Sequence, residues 1–532
     1  MKYALIYSLL LYLFTPLSSW SQTTHKELTL EEKVGQLLIV HFNGDRVNGD
    51  AELLVQKLGV GGVIYYNWAN GLNSPLQVRE LSQGLQDLAK NTRLSIPLFI
   101  TTDQEGGRVS RLTHGFTVFP GNRAVALTRS LDLCEKSAFF MGQEMHDVGI
   151  NLNLAPVVDI NTQVRNPVIG IRSFSEDPRT VISFARASLK GFHRANVMTT
   201  LKHFPGHGDV EIDSHEGLPI LKKDLVDLEK GELRPFRELS EHTEAILTAH
   251  MMVPALDEFH CTTLSKKSLD YLRQEIGFKG LIISDSLVME GLLKCCGTIE
   301  EAAVRAFQAG CDLILLGGKQ LIGAHQNLEL STNDIEKIHQ ALVKAVQTGI
   351  ISEDRLNVSI RRILDFKSKL QKGRSLEKIE LSLHQECAEE IAKRSIQAIG
   401  SLKSLFMGPS KIWIVHPYII EETLLKAGFG DLSHEVYFFP YDHLNPTFNW
   451  RPTQNCVDSD LVIFCTYDFF KNSWQAEMLD LLVNMQKPVV VVSVNEFSEI
   501  THPHLSMSLM TFSPTITSLK EAYKYLKNDL EK

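Results

Sequence analysis

The sequence predicts a (β/α)8 TIM-type barrel followed by a smaller C-terminal α/β layered domain. Three observations carry that expectation. Short apolar runs alternate with amphipathic helical segments about eight times over roughly 320 residues, the count and size of such a barrel. The runs are apolar throughout rather than alternating, as strands buried on both faces must be. The unusual polar residues fall at the C-terminal ends of those runs, one after another, where barrels of this kind place their chemistry. At 532 residues the chain is too long for one domain of ordinary size.

The first residues stand apart. Lys2 supplies a positive charge, Ala4 to Phe14 form a mostly apolar run, and Pro16, Ser18, Ser19 and Ser21 follow. That is the layout of a secretory signal peptide over residues 1–21, and a run this short favours cleavage over anchoring in a bilayer. The barrel is expected over 28–370. Its strands are read at Leu37–Phe42, Gly61–Tyr65, Leu98–Thr102, Asn153–Val157, Val197–Leu201, Ala245–Thr248, Leu281–Ser284 and Leu313–Leu316. Helices are read between them at Ala51–Leu58, Pro75–Lys90, Leu131–Val148, Arg179–Arg194, Leu228–Leu239, Ser265–Glu275, Ile299–Gln308 and Asp334–Gln347. Residues 371–400 read as a helical linker with a polar stretch at Lys372-Gly373-Arg374. The strand–helix pattern restarts over 401–532, without a glycine-rich phosphate loop or a concentrated catalytic cluster.

Composition narrows the function. Hydrophobic residues make up 44% and charged residues 22%, ordinary for a soluble globular protein. A net charge of -9 with no basic stripe argues against nucleic-acid binding. Eight cysteines show no CxxC spacing; Cys295 and Cys296 are adjacent, and Cys311 and Cys465 sit in apolar runs, so buried thiols are expected rather than a disulfide framework.

The most informative stretch is Lys202-His203-Phe204-Pro205-Gly206-His207-Gly208, with Asp213-Ser214-His215 close behind. Its composition suits neither helix nor strand and reads as a loop shaped for chemistry. Other strand ends add to it. Asp103 closes the third, within Asp103-Gln104-Glu105-Gly106-Gly107-Arg108, and Arg111 follows. Asp159 lies after the fourth, with Arg172 in the next loop; Lys202 and His203 end the fifth, His250 the sixth and Asp285 the seventh. A single Asp after a strand is commonly a helix cap, but polar residues at five successive strand ends form a site.

These motifs resemble family 3 glycoside hydrolases, in the β-N-acetylglucosaminidase (NagZ-like) branch. The resemblance covers roughly Leu28 to Leu370 and extends more loosely over the C-terminal domain. Its marks are the Lys202–Gly208 stretch, the Asp213-Ser214-His215 triplet, and Ser284-Asp285 with Met289 four residues on. It implies retaining hydrolysis with Asp285 as nucleophile and His215, polarised by Asp213, as acid and then base. It also implies that Asp103, Arg111, Arg172, Lys202 and His203 bind the terminal sugar. Asp159, His207 and His250 are expected behind them, with His207 bracing the loop. Ser286 departs from the pattern, because many relatives carry a second acidic residue there. No metal and no organic cofactor is implied.

The expected partner is an N-acetylglucosamine-containing oligosaccharide or muropeptide, met in the periplasm or outside the cell, with no nucleic acid and no integral membrane association after signal cleavage. Other readings remain. A neutral His donor suits an incoming phosphate, so a glycoside phosphorylase on the same sugar is an alternative, as is a β-glucosidase. A non-catalytic sugar-binding protein would have no need of Asp285, Asp213 and His215 together. Zinc held by His203, His207 and His215 is disfavoured by the Pro and Gly within the run and by Lys202 beside it. An ion pair of Arg172 with Glu176 is the structural alternative to sugar binding.

Overall fold

Eight parallel strand positions close on one another around an apolar centre. In the computed structural model, residues 28–212, 217–293, 295–319, 329–370, 379–402, 410–433, 435–443 and 458–531 are described. The expected signal peptide and the Asp213-Ser214-His215 triplet lie outside the described residues. Strands β1 (Leu38–Val40), β2 (Gly62–Ile64) and β3 (Phe99–Thr102) come first, then a short hairpin of β4 (Gln104–Gly106) and β5 (Val109–Ser110). Next come β6 (Leu152–Asn153), β7 (Met198–Phe204), β8 (Ala245–Thr248), β9 (Leu281–Ile283) and β10 (Ile314–Leu315). Without the hairpin, the parallel order is β10-β1-β2-β3-β6-β7-β8-β9, and a bridge between Ile283 and Leu313 closes the ring. Strands this short are buried along nearly their whole length, which accounts for their unbroken apolar runs.

The outer helices follow from local rules. Pro75–Lys90 begins where Ser74 accepts from the Gln77 backbone N–H, has Pro at its first position, and buries Val78, Leu81, Leu85 and Ala89 at helical spacing. Two expectations need correcting. The segment read as one helix over Leu228–Leu239 is two, Leu225–Lys230 and Leu233–Leu239, divided at Gly231. Glycine is the weakest ordinary helix former, and Glu232 beyond it turns inward to Lys223 at 2.6 Å. The Lys202–Gly208 stretch is also not all loop: β7 continues through Lys202, His203 and Phe204, and Phe204 pairs with Thr248 on β8. Strand geometry holds there because the polar side chains meet partners on neighbouring strand ends.

The remainder of the stretch is a tight turn. Gly206 lies at φ +132° with Glu232 packed where a side chain would stand. A Cβ on Gly208 would fall 1.9 Å from the Ile160 carbonyl oxygen. Glycine at both positions lets this segment lie against the loop after β6.

The C-terminal sheet contains β11 (Gln397–Gly400), β12 (Lys411–Pro417), β13 (Glu435–Tyr441), β14 (Leu461–Thr466), β15 (Val489–Ser493) and β16 (Met507–Met510). Its order is β11-β16-β15-β14-β12-β13, parallel except for β11. Helices cover both faces. Glu421–Ala427 and Ile516–Leu530 bury Leu424, Leu519 and Leu526 on one side, and Ser473–Val483 buries Met478, Leu479 and Leu482 on the other. β11 and β16 escape sequence reading; β11 is a largely exposed edge without the apolar run of a buried strand. Met510 and Phe512 join the barrel's apolar core, and His384, on the helix Leu381–Ser395, meets Glu144 of the barrel at 2.6 Å.

Candidate active site

At the C-terminal mouth of the barrel, β3 ends and Asp103 follows it directly. The β4–β5 hairpin then folds back. Asn153 on β6 grips this hairpin from beneath, accepting from the Gln104 N–H at 3.0 Å and donating to the Gln104 carbonyl at 2.9 Å. The Gln104 side chain accepts from the Arg111 and Leu112 N–H groups at 2.9 and 3.0 Å. These contacts hold Asp103, Glu105 and Arg111 at one rim.

Lys202 reaches this rim from β7. Its Nζ lies 2.8 Å from Asp103 Oδ1 and 2.7 Å from Glu105 Oε1. Arg172 grips Glu105 with both arms of its guanidinium, Nε at 2.9 Å and Nη2 at 2.8 Å, and Arg111 Nη2 stands 3.7 Å from Asp103 Oδ2. The ion pair weighed for Arg172 with Glu176 does not form; Glu176 pairs with Arg123 at 2.9 Å.

Charge matching makes this burial tolerable. Burial alone would raise the Asp103 and Glu105 carboxyls. For Asp103, Lys202 and Arg111 outweigh it; for Glu105, Arg172 and Lys202 do, and both end below the usual range, Glu105 far below. Burial would lower the Lys202 ammonium, but the Asp103 and Glu105 carboxylates hold it above its ordinary value. These groups remain charged at neutral pH.

His203 extends the network. Its Nδ1 lies 2.7 Å from Asp159 Oδ2, and its Nε2 lies 3.4 Å from Arg172 Nη2. A guanidinium can only donate, so the geometry puts the proton on Nδ1 and the lone pair on Nε2. Asp159 is fully buried and also accepts from the backbone N–H of His203 at 3.1 Å and of His207 at 2.7 Å. Burial would raise its carboxyl, but His203 and His207 hold it low. Asp159 therefore orients the ring and turn of β7 from behind.

Asp285 follows β9 on the opposite side of the mouth. Its Oδ1 accepts from the Ser286 N–H at 2.7 Å, and the residue is partly exposed. His250, fully buried, lies beneath: its Nε2 is 2.9 Å from the Ser286 carbonyl, to which it can only donate, and its Nδ1 is 2.8 Å from Thr263 Oγ1. Tyr66, after β2, stands between the two sides. Burial first, then the Asp103 and Asp285 charges, keep its phenol well above its ordinary range, with Arg111 opposing.

The described flanks of the 213–215 loop are fastened to the same mouth. Asn166 donates to the His207 and Val210 carbonyls at 2.7 and 3.0 Å, and Asp209 pairs with Lys223 at 2.8 Å. On the far flank, Leu221 N–H donates to the Met252 carbonyl at 2.9 Å.

The structure thus brings together Asp103, Arg111, Arg172, Lys202 and His203, with Asp159 behind them and His250 behind Asp285. Glu105 was missed by sequence reading, although it joins the two cations. Period-two strand geometry was the available signal, since Asp103 and Glu105 face the same way two residues apart. The C-terminal domain also reaches this rim: Lys471 donates to the Pro167 carbonyl at 2.8 Å, and Asp468 lies 3.6 Å from Arg108. Those two segments carry Arg172 and Glu105.

Donors suited to hydroxyl groups gather at the barrel end that also carries the partly exposed Asp285 carboxylate, an arrangement that suits a carbohydrate ligand. Residues 29–366 match the family described as Glycosyl hydrolase family 3 N terminal domain. The chain belongs to glycoside hydrolase family 3 and is a glycoside hydrolase. It is 32% identical over 377 residues to Beta-hexosaminidase A of Pseudoalteromonas piscicida, a match spanning 64% of this chain and 62% of that protein. It is 31% identical over 363 residues to Beta-hexosaminidase of Photobacterium profundum, covering 68% of this chain and 97% of that one. A solved family 3 beta-N-acetylglucosaminidase from Paenibacillus sp. str. FPU-7 superposes with a TM-score of 0.80 at 29% identity, covering 94% of this chain and 97% of that chain.

Proposed function

We propose that this chain is an exported, retaining β-N-acetylglucosaminidase that releases terminal N-acetylglucosamine from peptidoglycan fragments or chitin oligosaccharides. The relatives named beta-hexosaminidase and the superposable beta-N-acetylglucosaminidase support the sugar specificity. Export rests on the signal-like residues 1–21.

One observation carries the mechanism. Asp103, Glu105 and Asp159 are all committed to cations or to histidine, whereas among the described residues the Asp285 carboxylate takes a single hydrogen bond, from its neighbour's backbone. A nucleophile needs that freedom. In this reading Asp285 attacks the anomeric carbon and forms a glycosyl-enzyme, while His215, polarised by Asp213, protonates the leaving oxygen and then deprotonates water. Lys202, Arg111, Arg172 and Asp103 hold the ring hydroxyls, and the site carries no task that calls for a metal or organic cofactor.

Initial rates on 4-nitrophenyl β-N-acetylglucosaminide and the matching β-glucoside, with and without phosphate, test this for wild type and Asp285→Asn. Preference for the N-acetyl sugar is expected, with turnover falling on the order of 10⁴-fold in the variant. A faster β-glucoside rate would overturn the sugar assignment. Phosphate-dependent release of a sugar 1-phosphate would make the chain a phosphorylase.

A further inference from the structure

Trp68 is the aromatic side chain that the site as described leaves unexplained. It lies in the short helix Asn67–Asn70 directly after β2 and is 45% exposed. Single exposed apolar residues are common and need no function. This one is distinguished by what holds it and by where it stands.

Its indole stacks on Tyr66, with ring centroids 5.2 Å apart and planes 18° apart. His41 meets it edge-on at 5.2 Å, and His41 Nε2 is in turn 3.2 Å from Glu329 Oε1. The helix beneath is pinned: Asn70 accepts from the Tyr66 N–H at 3.1 Å and donates to the Phe42 carbonyl at 3.0 Å. Asn67 donates to the carbonyl of Arg111, whose guanidinium carbon lies 5.8 Å from the Tyr66 ring centre and whose Nη2 reaches toward Asp103. Trp68 is therefore one ring further out than Tyr66, on a stack that starts beside Arg111, the partner of Asp103, and ends in solvent.

The chemistry of the two zones differs. The inner zone is charged and grips hydroxyl groups in the ring plane. The outer zone offers a flat, preorganised aromatic surface. The axial C–H face of a pyranose packs against such a surface with little ordering cost, because the indole is already fixed. We infer that Trp68 is the platform for the sugar on the leaving-group side of the scissile bond, stacking the pyranose ring of a β-linked aglycone. This inference rests on the activity proposed above and adds to it a subsite for a carbohydrate, rather than a small alkyl, leaving group.

The test compares an aglycone that reaches Trp68 with one that cannot. Wild type, Trp68→Ala and Trp68→Tyr are assayed on N,N′-diacetylchitobiose and on methyl N-acetyl-β-glucosaminide. In Trp68→Ala, kcat/KM on the disaccharide is expected to fall roughly three- to tenfold, mainly through KM, the scale of one aromatic contact. The methyl glycoside should stay within about twofold of wild type, and Trp68→Tyr should recover most of the loss. Equal losses on both substrates, or none on either, would overturn the platform. If wild type hydrolyses neither, the proposed activity fails, and calorimetric titration with the disaccharide then decides the subsite. Weaker binding by Trp68→Ala than by wild type would sustain it; equal binding, or no binding by wild type, would sink it.

Discussion

Two buried ionic clusters sit at opposite ends of the same barrel and teach different things. At the C-terminal ends of the strands, Lys202, Arg172 and Arg111 meet Asp103 and Glu105. At the N-terminal end, Asp312 precedes β10, fully buried, and is met by Arg273, by Arg362 at 3.1 Å and by Arg355 at 3.6 Å, with the Ile282 N–H donating at 3.1 Å. In the lower cluster each cation is spent on structure. Arg273 also donates to the Phe278 and Gly280 carbonyls at 3.0 and 2.7 Å, and Arg355 to that of Cys311 at 2.6 Å, tying two outer helices to strand starts. In the upper cluster the carboxylates and cations stand at the same end of the barrel as Asp285. Under the proposed function, similar residues serve stability at one end and ligand binding at the other.

The sharpest way to break this comparison is to neutralise one carboxylate in each cluster. Asp312→Asn strands three guanidinium groups. Because they remain 16–32% exposed, the cost should lie near the low end for a broken buried pair, about 3 kcal/mol by denaturant unfolding. Its kcat/KM per folded molecule should stay within about twofold of wild type, the scale of a remote site. A large activity loss there would erase the distinction between the two ends.

Glu105→Gln should act the other way. It releases the bidentate grip on Arg172 and one of the two partners of Lys202, and kcat/KM is expected to fall roughly a hundredfold, about 2.7 kcal/mol of transition-state binding. Steady-state kinetics on an N-acetylglucosaminide reads this directly. An effect on stability alone would place Glu105 with Asp312 as scaffold.

Titration sharpens the contrast between the barrel and its neighbour. Glu105 is held far below its ordinary value, so its contribution to stability is complete above about pH 4.5 and is lost as pH falls through the lowered pKa. Unfolding free energies of wild type and Glu105→Gln should therefore keep a constant gap from neutrality to about pH 4.5 and converge below it. Glu496, at the start of the loop after β15, has the opposite sign. Burial, then the Asp468 charge, push it up to about 8. Between its ordinary 4.5 and 8 the folded chain keeps a proton that the unfolded chain releases, so stability falls as pH rises across that window. Glu496→Gln should flatten that slope; an unchanged slope would rule out Glu496 as its source.

The smallest effect is expected where the C-terminal domain touches the rim. Lys471→Met removes the hydrogen bond to the Pro167 carbonyl and the ion pair with Asp468 at 2.7 Å. A loss of about 1 kcal/mol, seen as a few-fold rise in KM, is the scale of one such contact. An unchanged KM would mean that the barrel positions Arg172 without help.

Much of this was readable in advance. Pro75–Lys90 and Ala245–Thr248 lie where the pattern puts them, because capping, helical spacing and continuous apolar runs are local properties. Asp103, Arg111, Arg172, Lys202, His203 and Asp159 were recognisable as one site because they follow successive strands. Asp312 was not singled out, since a lone acidic residue looks the same whether it faces water or three cations, and Glu105 was legible only through its two-residue spacing from Asp103. The continuation of β7 through Lys202 and His203 was hidden because their polar side chains suit a strand only once their partners are in place.

By itself the sequence determined the alternation of strands and helices, the two-domain order, and which polar residues stand at the strand ends. Those follow from sterics and apolar spacing within a few residues. The tertiary structure decided which carboxylates at the mouth are committed to cations, that Asp285 takes a single hydrogen bond among the described residues, where the proton sits on His203, and that Trp68 is backed by Tyr66. Such outcomes depend on groups far apart in the chain: Lys202 and its partner Asp103 are 99 residues apart. Their distance and burial exist only once the barrel has closed, and those two quantities set the strength of each charge interaction.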